Sequence, residues 1–382
     1  MIRIPCLRKP PTGNNVLPFV RGLLPVVVAT VSLICGLSVR ALVINPIYDS
    51  SVTSNPKASA IKATINSVIQ DYQTRFTDPV TVTIQFMSVS DGLGSSQTAY
   101  STIDYATYRS LLVQHATTTN DTTALAHLPT GLKNPVNGGP SVDITLPNQR
   151  ALGLVADPSP GEPDSTISLN LSVMNFTRTG IDPNKYDLAA TAYHEINEVL
   201  GLNSNLDGLN NGDPAPTDSV GSLDLFRYGA TGIRSFNTQA ATRAFLSLDG
   251  KKNLVQFNQD SSGDFHDWFS VDGTQVPRVQ DAFGAPGLFQ NQSDVELIAL
   301  DVIGYTPRVA TAPTLAISHP AIVAGRFGFD LTGAAGTVVV IDASTGLKTW
   351  APIATNTLSG VLHFTDPQTG AQANRAYRAR TQ

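Results

Sequence analysis

Residues 188–202, LAATAYHEINEVLGL, constrain this chain more than any other stretch. Ala189, Ala190 and Ala192 favour a helix, and Leu188, Ile196, Val199, Leu200 and Leu202 give it apolar surface. A helix this apolar belongs inside a domain, yet its middle carries His194, Glu195 and Glu198. Charge in such a place needs a partner. His194 and Glu198 stand four apart and project from one side of the helix, so an imidazole and a carboxylate can approach a single metal ion. Glu195 is the next residue round and can reach a water on that ion. Gly201 follows, where a chain leaving a helix turns with φ > 0. The competing expectation is an alanine-rich helix with surface glutamates, which the same spacing fits.

The pattern is that of the H-E-x-x-H zinc-protease helix, with Glu198 in place of the second histidine. The acidic, Asn/Gly-rich stretch 203–218 comes next and can return a further oxygen ligand. Its residues Asn203, Asn205, Asp207, Gly208 and Asn211 partly imitate a calcium loop, but Pro214 takes the twelfth position, where glutamate is required. The stretch reads either as a Ca²⁺ site of another type or as a solvated turn.

Composition places the chain. Only 14% of its 382 residues are charged, and Thr, Ser, Asn and Gly are plentiful, which suits a secreted protein rich in strands and loops. The net charge of −5, with no basic run, argues against a nucleic-acid partner. Arg3, Arg8, Lys9 and Arg21 precede an uncharged apolar run at 22–38, and Val39-Arg40-Ala41 fits a signal-peptidase site. Residues 1–41 are therefore expected to be a signal peptide; a membrane anchor is the competing reading, weakened by Pro25 and the run's length. Cys6 and Cys35 both fall in this leader, so a metal site in the mature chain must be built from histidines and carboxylates.

Residues 57–76 carry Ile61, Ile65, Val68, Ile69, Tyr72 and Phe76 on one helical face, and 80–86 alternates as a half-buried strand. A second helix is expected at 105–115. A long loop follows at 117–140, with a short helix at 123–127 and His115 and His127 in solvent. Residues 166–176 read as a strand leading into the His-Glu helix. A hairpin turns at Asp249-Gly250, and Ser293 with Glu296 makes a capping box for a helix ending before Gly304. The order is that of an α+β domain over 42–307. A linker at 308–313 leads to a small all-β sandwich at 314–382, where His319 and His363 have no catalytic company.

The segments YHEINEVLG, LDLFRYGATGIRSF, FLSLDG, DFHDW, VQDAFGAPG and LDVIGYTP, in this order, resemble a family of secreted bacterial zinc metalloproteases, many of which carry a PEP-CTERM sorting tail. The resemblance covers roughly residues 42–307, and the closing segments look like the end of metzincin-type catalytic domains. It implies a zincin-type fold, Zn²⁺ and hydrolysis of a protein or peptide substrate. The region 314–382 resembles the fibronectin-III-like accessory modules of secreted bacterial proteins. No PEP-CTERM tail is present. The metzincin pattern is also broken: Ser204 stands where a third histidine belongs, and beyond the leader only Met87 and Met174 remain, both ahead of the helix, so no methionine turn lies below the metal.

Asp207, just past that third position, is the expected third ligand beside His194 and Glu198. His266 is the next candidate, and Asp213, Asp218 and Asp224 stay open. In this reading Glu195 takes a proton from a metal-activated water and passes it to the leaving amine. Two other classes compete with it: a degenerate zincin fold that binds without hydrolysing, and a β-rich extracellular adhesion protein whose C-terminal module does the binding.

Overall fold

The computed structural model describes residues 41–382 apart from 156–160, 208–217, 230–231, 271–275, 309–314, 324 and 369–374. The leader, most of the expected linker, most of the candidate calcium loop and Asp213 lie outside the described residues. No helix among the described residues is long and apolar enough to cross a membrane.

The architecture is mixed α+β. Val43–Tyr48, Thr81–Ser88 and Ser165–Leu169 lie side by side and parallel, and Gly94–Thr98 joins antiparallel beside Ser165–Leu169 at the edge of this four-stranded sheet. The helix Ala58–Arg75 makes the crossover between the first two strands. Its buried residues Ile61, Ile65, Val68, Ile69 and Tyr72 are those the periodicity marks. Each contributes on the order of 1.5–3 kcal/mol by leaving water. The helix Leu188–Leu200 packs against both Ala58–Arg75 and the edge strand Gly94–Thr98. It is buried on almost every side, including Glu195 and Asn197.

Two local expectations needed adjustment, and two features were not foreseen. The strand expected at 166–176 stops at Leu169, because Asn170 turns out of line to bond Gly92 and Leu93 carbonyls, and a 3-10 turn follows. The short helix runs Thr119–Ala126, started by a capping box between Thr118 and Asp121. The edge strand Gly94–Thr98, GSSQT, has no apolar alternation to announce it. Nor was a second sheet foreseen, in which Tyr100–Asp104, Ser141–Thr145 and Ser219–Gly221 pair. The hairpin about Gly250, at φ +67°, and the Ser293–Glu296 capping box stand where expected.

Beyond residue 314 lie two three-stranded antiparallel sheets. One consists of Ala316–Val323, Arg326–Thr332 and Leu362–Thr365, the other of Ala351–Thr357, Val338–Ser344 and Ala376–Thr381. They share a separate small core of Phe329, Leu331, Val339, Ile341, Leu358 and Phe364.

Candidate metal centre

The Leu188–Leu200 helix is fixed at both ends. Asp187 caps it through the amides of Ala189 and Ala190 and is itself held by Arg178, 2.6 Å away. Gly201 leaves it at φ +127°, its amide donating to the carbonyls of Asn197 and Glu198. A Cβ here would stand 3.1 Å from both Asn148 and Ile303, in a backbone region that glycine favours.

The exit segment then returns toward the helix. Ser204, at the position of the missing histidine, is buried and donates to Asp224 Oδ1 at 2.6 Å. Asn205 donates to Asp143 Oδ2, and Leu206 is fully buried. These anchors deliver Asp207 to the loop that carries Phe265, His266 and Asp267. Arg227, itself buried, braces that loop through the carbonyls of Phe265 and Asn258, with its guanidinium 4.4 Å from the Phe257 ring centroid.

Four donor atoms converge in front of the helix. His266 Nε2 lies 3.0 Å and His194 Nε2 3.1 Å from Glu198 Oε1. Asp267 Oδ1 is 3.5 Å from the His194 imidazole and 3.6 Å from that of His266. Glu198, Asp264, His266 and Asp267 can each offer a ligand atom within 4.8 Å of all the others. The outer nitrogens fix the tautomers. His194 Nδ1 is 2.9 Å from the Val279 carbonyl, which only accepts, so that nitrogen carries the proton. His266 Nδ1 is 2.6 Å from Asp207 Oδ2. With Nδ1 protonated in both rings, each Nε2 faces Glu198 Oε1 and donates to it in the metal-free protein; on loss of that proton both lone pairs would face the same point, the usual way a metal-ligating histidine is oriented.

The carboxylates are oriented too. Ser96 of the edge strand donates to Glu198 Oε2 at 2.8 Å. Gln280 Nε2 donates to Asp267 Oδ1 at 2.8 Å, and Asn197 on the site helix holds Gln280 Oε1 at 2.9 Å. Asn197 in turn bonds Tyr72 and Gln292, so a buried amide network ties the helix to the loop.

Of the expected ligands, His194 and Glu198 meet at this point and Asp207 stands behind it. Asp207 does not reach the convergence point: Oδ1 accepts from the Phe265 amide and Oδ2 from His266 Nδ1. It stands behind His266, and His266 takes the inward place. Asp224 is committed to Ser204, Asn205 and Gly221. Asp218 is exposed and outside the cluster. His127 is in solvent, as expected. Asp267 and Gln280 were not foreseen. The signal for Asp267 was its place next to His266 in DFHDW.

The groups titrate as one charged assembly. Burial opposes charge on both imidazoles, but Asp267 and Glu198 around His194, and Asp207 and Asp267 around His266, hold both well above the usual histidine range. Burial would lift Glu198, yet hydrogen bonds from His194 and His266 carry it well below the carboxylate range. Burial pushes Asp267 up to about 6 against the pull of the two imidazoles. Burial, then the neighbouring Glu198, pushes Glu195 well above its ordinary value. Glu195 Oε2 is buried with no hydrogen-bond partner among the described residues. Glu198, Asp264, His266 and Asp267 lie near enough together to hold a metal ion.

A cleft of about 390 Å³ opens beside the cluster, lined by Gly94, Thr191, His194, Glu195, Asp267 and Phe283 among others. Compared with family models, curated proteins and solved structures, the chain matches none.

Proposed function

We propose that this protein is a secreted metal-dependent peptidase of zincin type, with His194, Glu198 and His266 as metal ligands and Asp267 alongside. The observation that carries the reading is the convergence of two Nε2 atoms on Glu198 Oε1, each imidazole fixed from behind by an acceptor. The donor set, two imidazoles and carboxylates without thiolate, suits Zn²⁺ and admits Mn²⁺. A bound divalent metal would supply Lewis acidity and an acidified water.

The chain's own residues would do the rest. Glu195, adjacent to the ligands and lining the cleft, takes a proton from the attacking water and returns it to the leaving amine. Asp207 keeps a proton on His266 Nδ1 and turns Nε2 toward Glu198. Peptide substrates are favoured by the edge strand: among the described residues Gly94–Thr98 is paired on one side only, and Gly92 to Gly94 line the cleft. An extended peptide can add to such an edge through main-chain hydrogen bonds. The two C-terminal sheets fit a small sandwich acting as an accessory module.

One observation favours a second reading. Asp267 Oδ1 lies close enough to both imidazoles to act as a fourth protein ligand. Four protein ligands describe a closed, structural zinc site, and the protein would then bind metal without hydrolysis. Metal content and cleavage of a quenched peptide library, measured on the same wild-type, His266→Ala and Asp267→Ala samples, separate the two. The peptidase reading expects one metal per chain and metal-dependent cleavage, both lost in His266→Ala. Bound metal with no cleavage of any peptide supports the closed site.

A further inference from the structure

Asp267 is buried, and its Oδ1 faces both imidazoles, 3.5 Å from His194 and 3.6 Å from His266. Gln280, fully buried, donates its Nε2 to that same oxygen at 2.8 Å. A glutamine amide can turn over, and its oxygen would then meet the carboxylate as acceptor against acceptor. What prevents the turn lies deeper in the protein. Gln280 Oε1 accepts from Asn197 Nδ2 at 2.9 Å. Asn197, also fully buried, is oriented from its other end: Oδ1 accepts from Gln292 Nε2 at 2.7 Å and from the Tyr72 hydroxyl at 2.7 Å.

The row of bonds therefore has one direction. Tyr72, on the crossover helix Ala58–Arg75, donates to Asn197; Asn197 donates to Gln280; Gln280 donates to Asp267. Turning one amide alone sets donor against donor at one end and acceptor against acceptor at the other. A buried polar group left unsatisfied in this way costs about 1–3 kcal/mol. Tyr72 is fully buried, and burial raises its pKa well above the ordinary value, so it keeps the proton it donates. The Tyr193 carbonyl at 2.9 Å and Gln292 Oε1 at 3.3 Å also face that hydroxyl, but Asn197 Oδ1 is the nearest of the three acceptors.

We propose that Gln280 and Tyr72 are positioning residues of the metal centre: acting through Asn197, they hold Asp267 Oδ1 against the two imidazoles. The inference rests on the metal-centre reading and deepens it, since the centre is then preorganised from the crossover helix as well as from its own loop. Its consequence is specific. Deleting a hydroxyl three hydrogen bonds away from Asp267 should weaken metal binding.

The test measures zinc affinity of the full chain by competition against a fluorescent indicator, with circular dichroism on the same samples to establish folding. Gln280→Leu should lower affinity roughly tenfold, the scale for an outer partner of a metal site, and Tyr72→Phe several-fold. Tyr108→Phe removes another fully buried hydroxyl, which faces the Ile303 carbonyl outside this row, and should leave affinity unchanged. In an Asp267→Ala background neither Gln280→Leu nor Tyr72→Phe should weaken zinc binding further, because both act through Asp267. Unchanged affinity in both single variants, or losses that persist in full without Asp267, overturns the proposal. Crystals of the metal-free wild type and Gln280→Leu read the positioning itself: Asp267 Oδ1 should leave its place beside the imidazoles in the variant, and the same place in both overturns the proposal. Should the wild type take up no zinc, the metal-centre reading fails, and these crystals still decide the positioning.

Discussion

Asp207→Asn separates an orienting residue from a ligand. In the wild type the carboxylate accepts from His266 Nδ1 at 2.6 Å and from the Phe265 amide at 2.5 Å. Asparagine keeps one acceptor oxygen, and the Phe265 amide can hold it. The amide nitrogen then faces Nδ1 as a donor meeting a donor. His266 must either lose its support or move its proton to Nε2, which would block the inward lone pair. Loss of such an outer partner costs roughly 10–100-fold in metal affinity, about 1.4–2.8 kcal/mol. Competition against a fluorescent zinc indicator at fixed pH reads this directly, with His266→Ala as the reference for a lost ligand. Affinity within about twofold of wild type would remove the orienting role. A loss as complete as that of His266→Ala would make Asp207 a ligand after all.

Three further outcomes follow from the same geometry. Glu195→Gln should keep metal content and fold while turnover falls by roughly 10²-fold or more, measured on any peptide the wild type cleaves; equal rates would exclude Glu195 as the base. Gly94→Ala places a methyl group against Glu195 Oε1 and 2.7 Å from Thr191 Cγ2, so it should cost about 1–3 kcal/mol in thermal stability and disturb Glu195; an unchanged melting temperature would contradict this packing. In the metal-free protein His194 and His266 hold protons to unusually high pH, so their contribution to stability is full below the ordinary histidine range and is lost as pH rises through their raised values. Zinc uptake should accordingly release protons near neutral pH and strengthen as pH rises; calorimetry in buffers of different ionisation enthalpy checks it, and uptake without proton release would sink the argument.

The helical face of Ala58–Arg75, the strand Thr81–Ser88 and the Ser293–Glu296 capping box were legible because local pattern and core agree there. The site was legible in half. His194 and Glu198 share a helix, and their spacing alone brings them together. His266 and Asp267 lie 68 and 69 positions beyond Glu198, on a loop whose path depends on Arg227, Asn258 and the hairpin before it. No local periodicity encodes that path. Sequence order placed Asp207 near the centre but cannot distinguish a carboxylate in front of an imidazole from one behind it, where the structure has it. Gln280 was invisible for a related reason: an amide carries no charge signature, and its work depends on meeting Asn197 and Asp267 in space. The edge strand Gly94–Thr98 lacked apolar residues because its side chains meet the polar site, Ser96 on Glu198 above all.

The central claim is that one metal sits where the two imidazoles face Glu198. Diffraction from zinc-soaked crystals, recorded on both sides of the zinc absorption edge, tests it most directly. The account predicts an anomalous peak within bonding distance of His194 Nε2, His266 Nε2 and Glu198 Oε1, with Asp207 outside that distance. Density at full zinc occupancy elsewhere in the chain, with these three side chains still bonded only to one another, would contradict it.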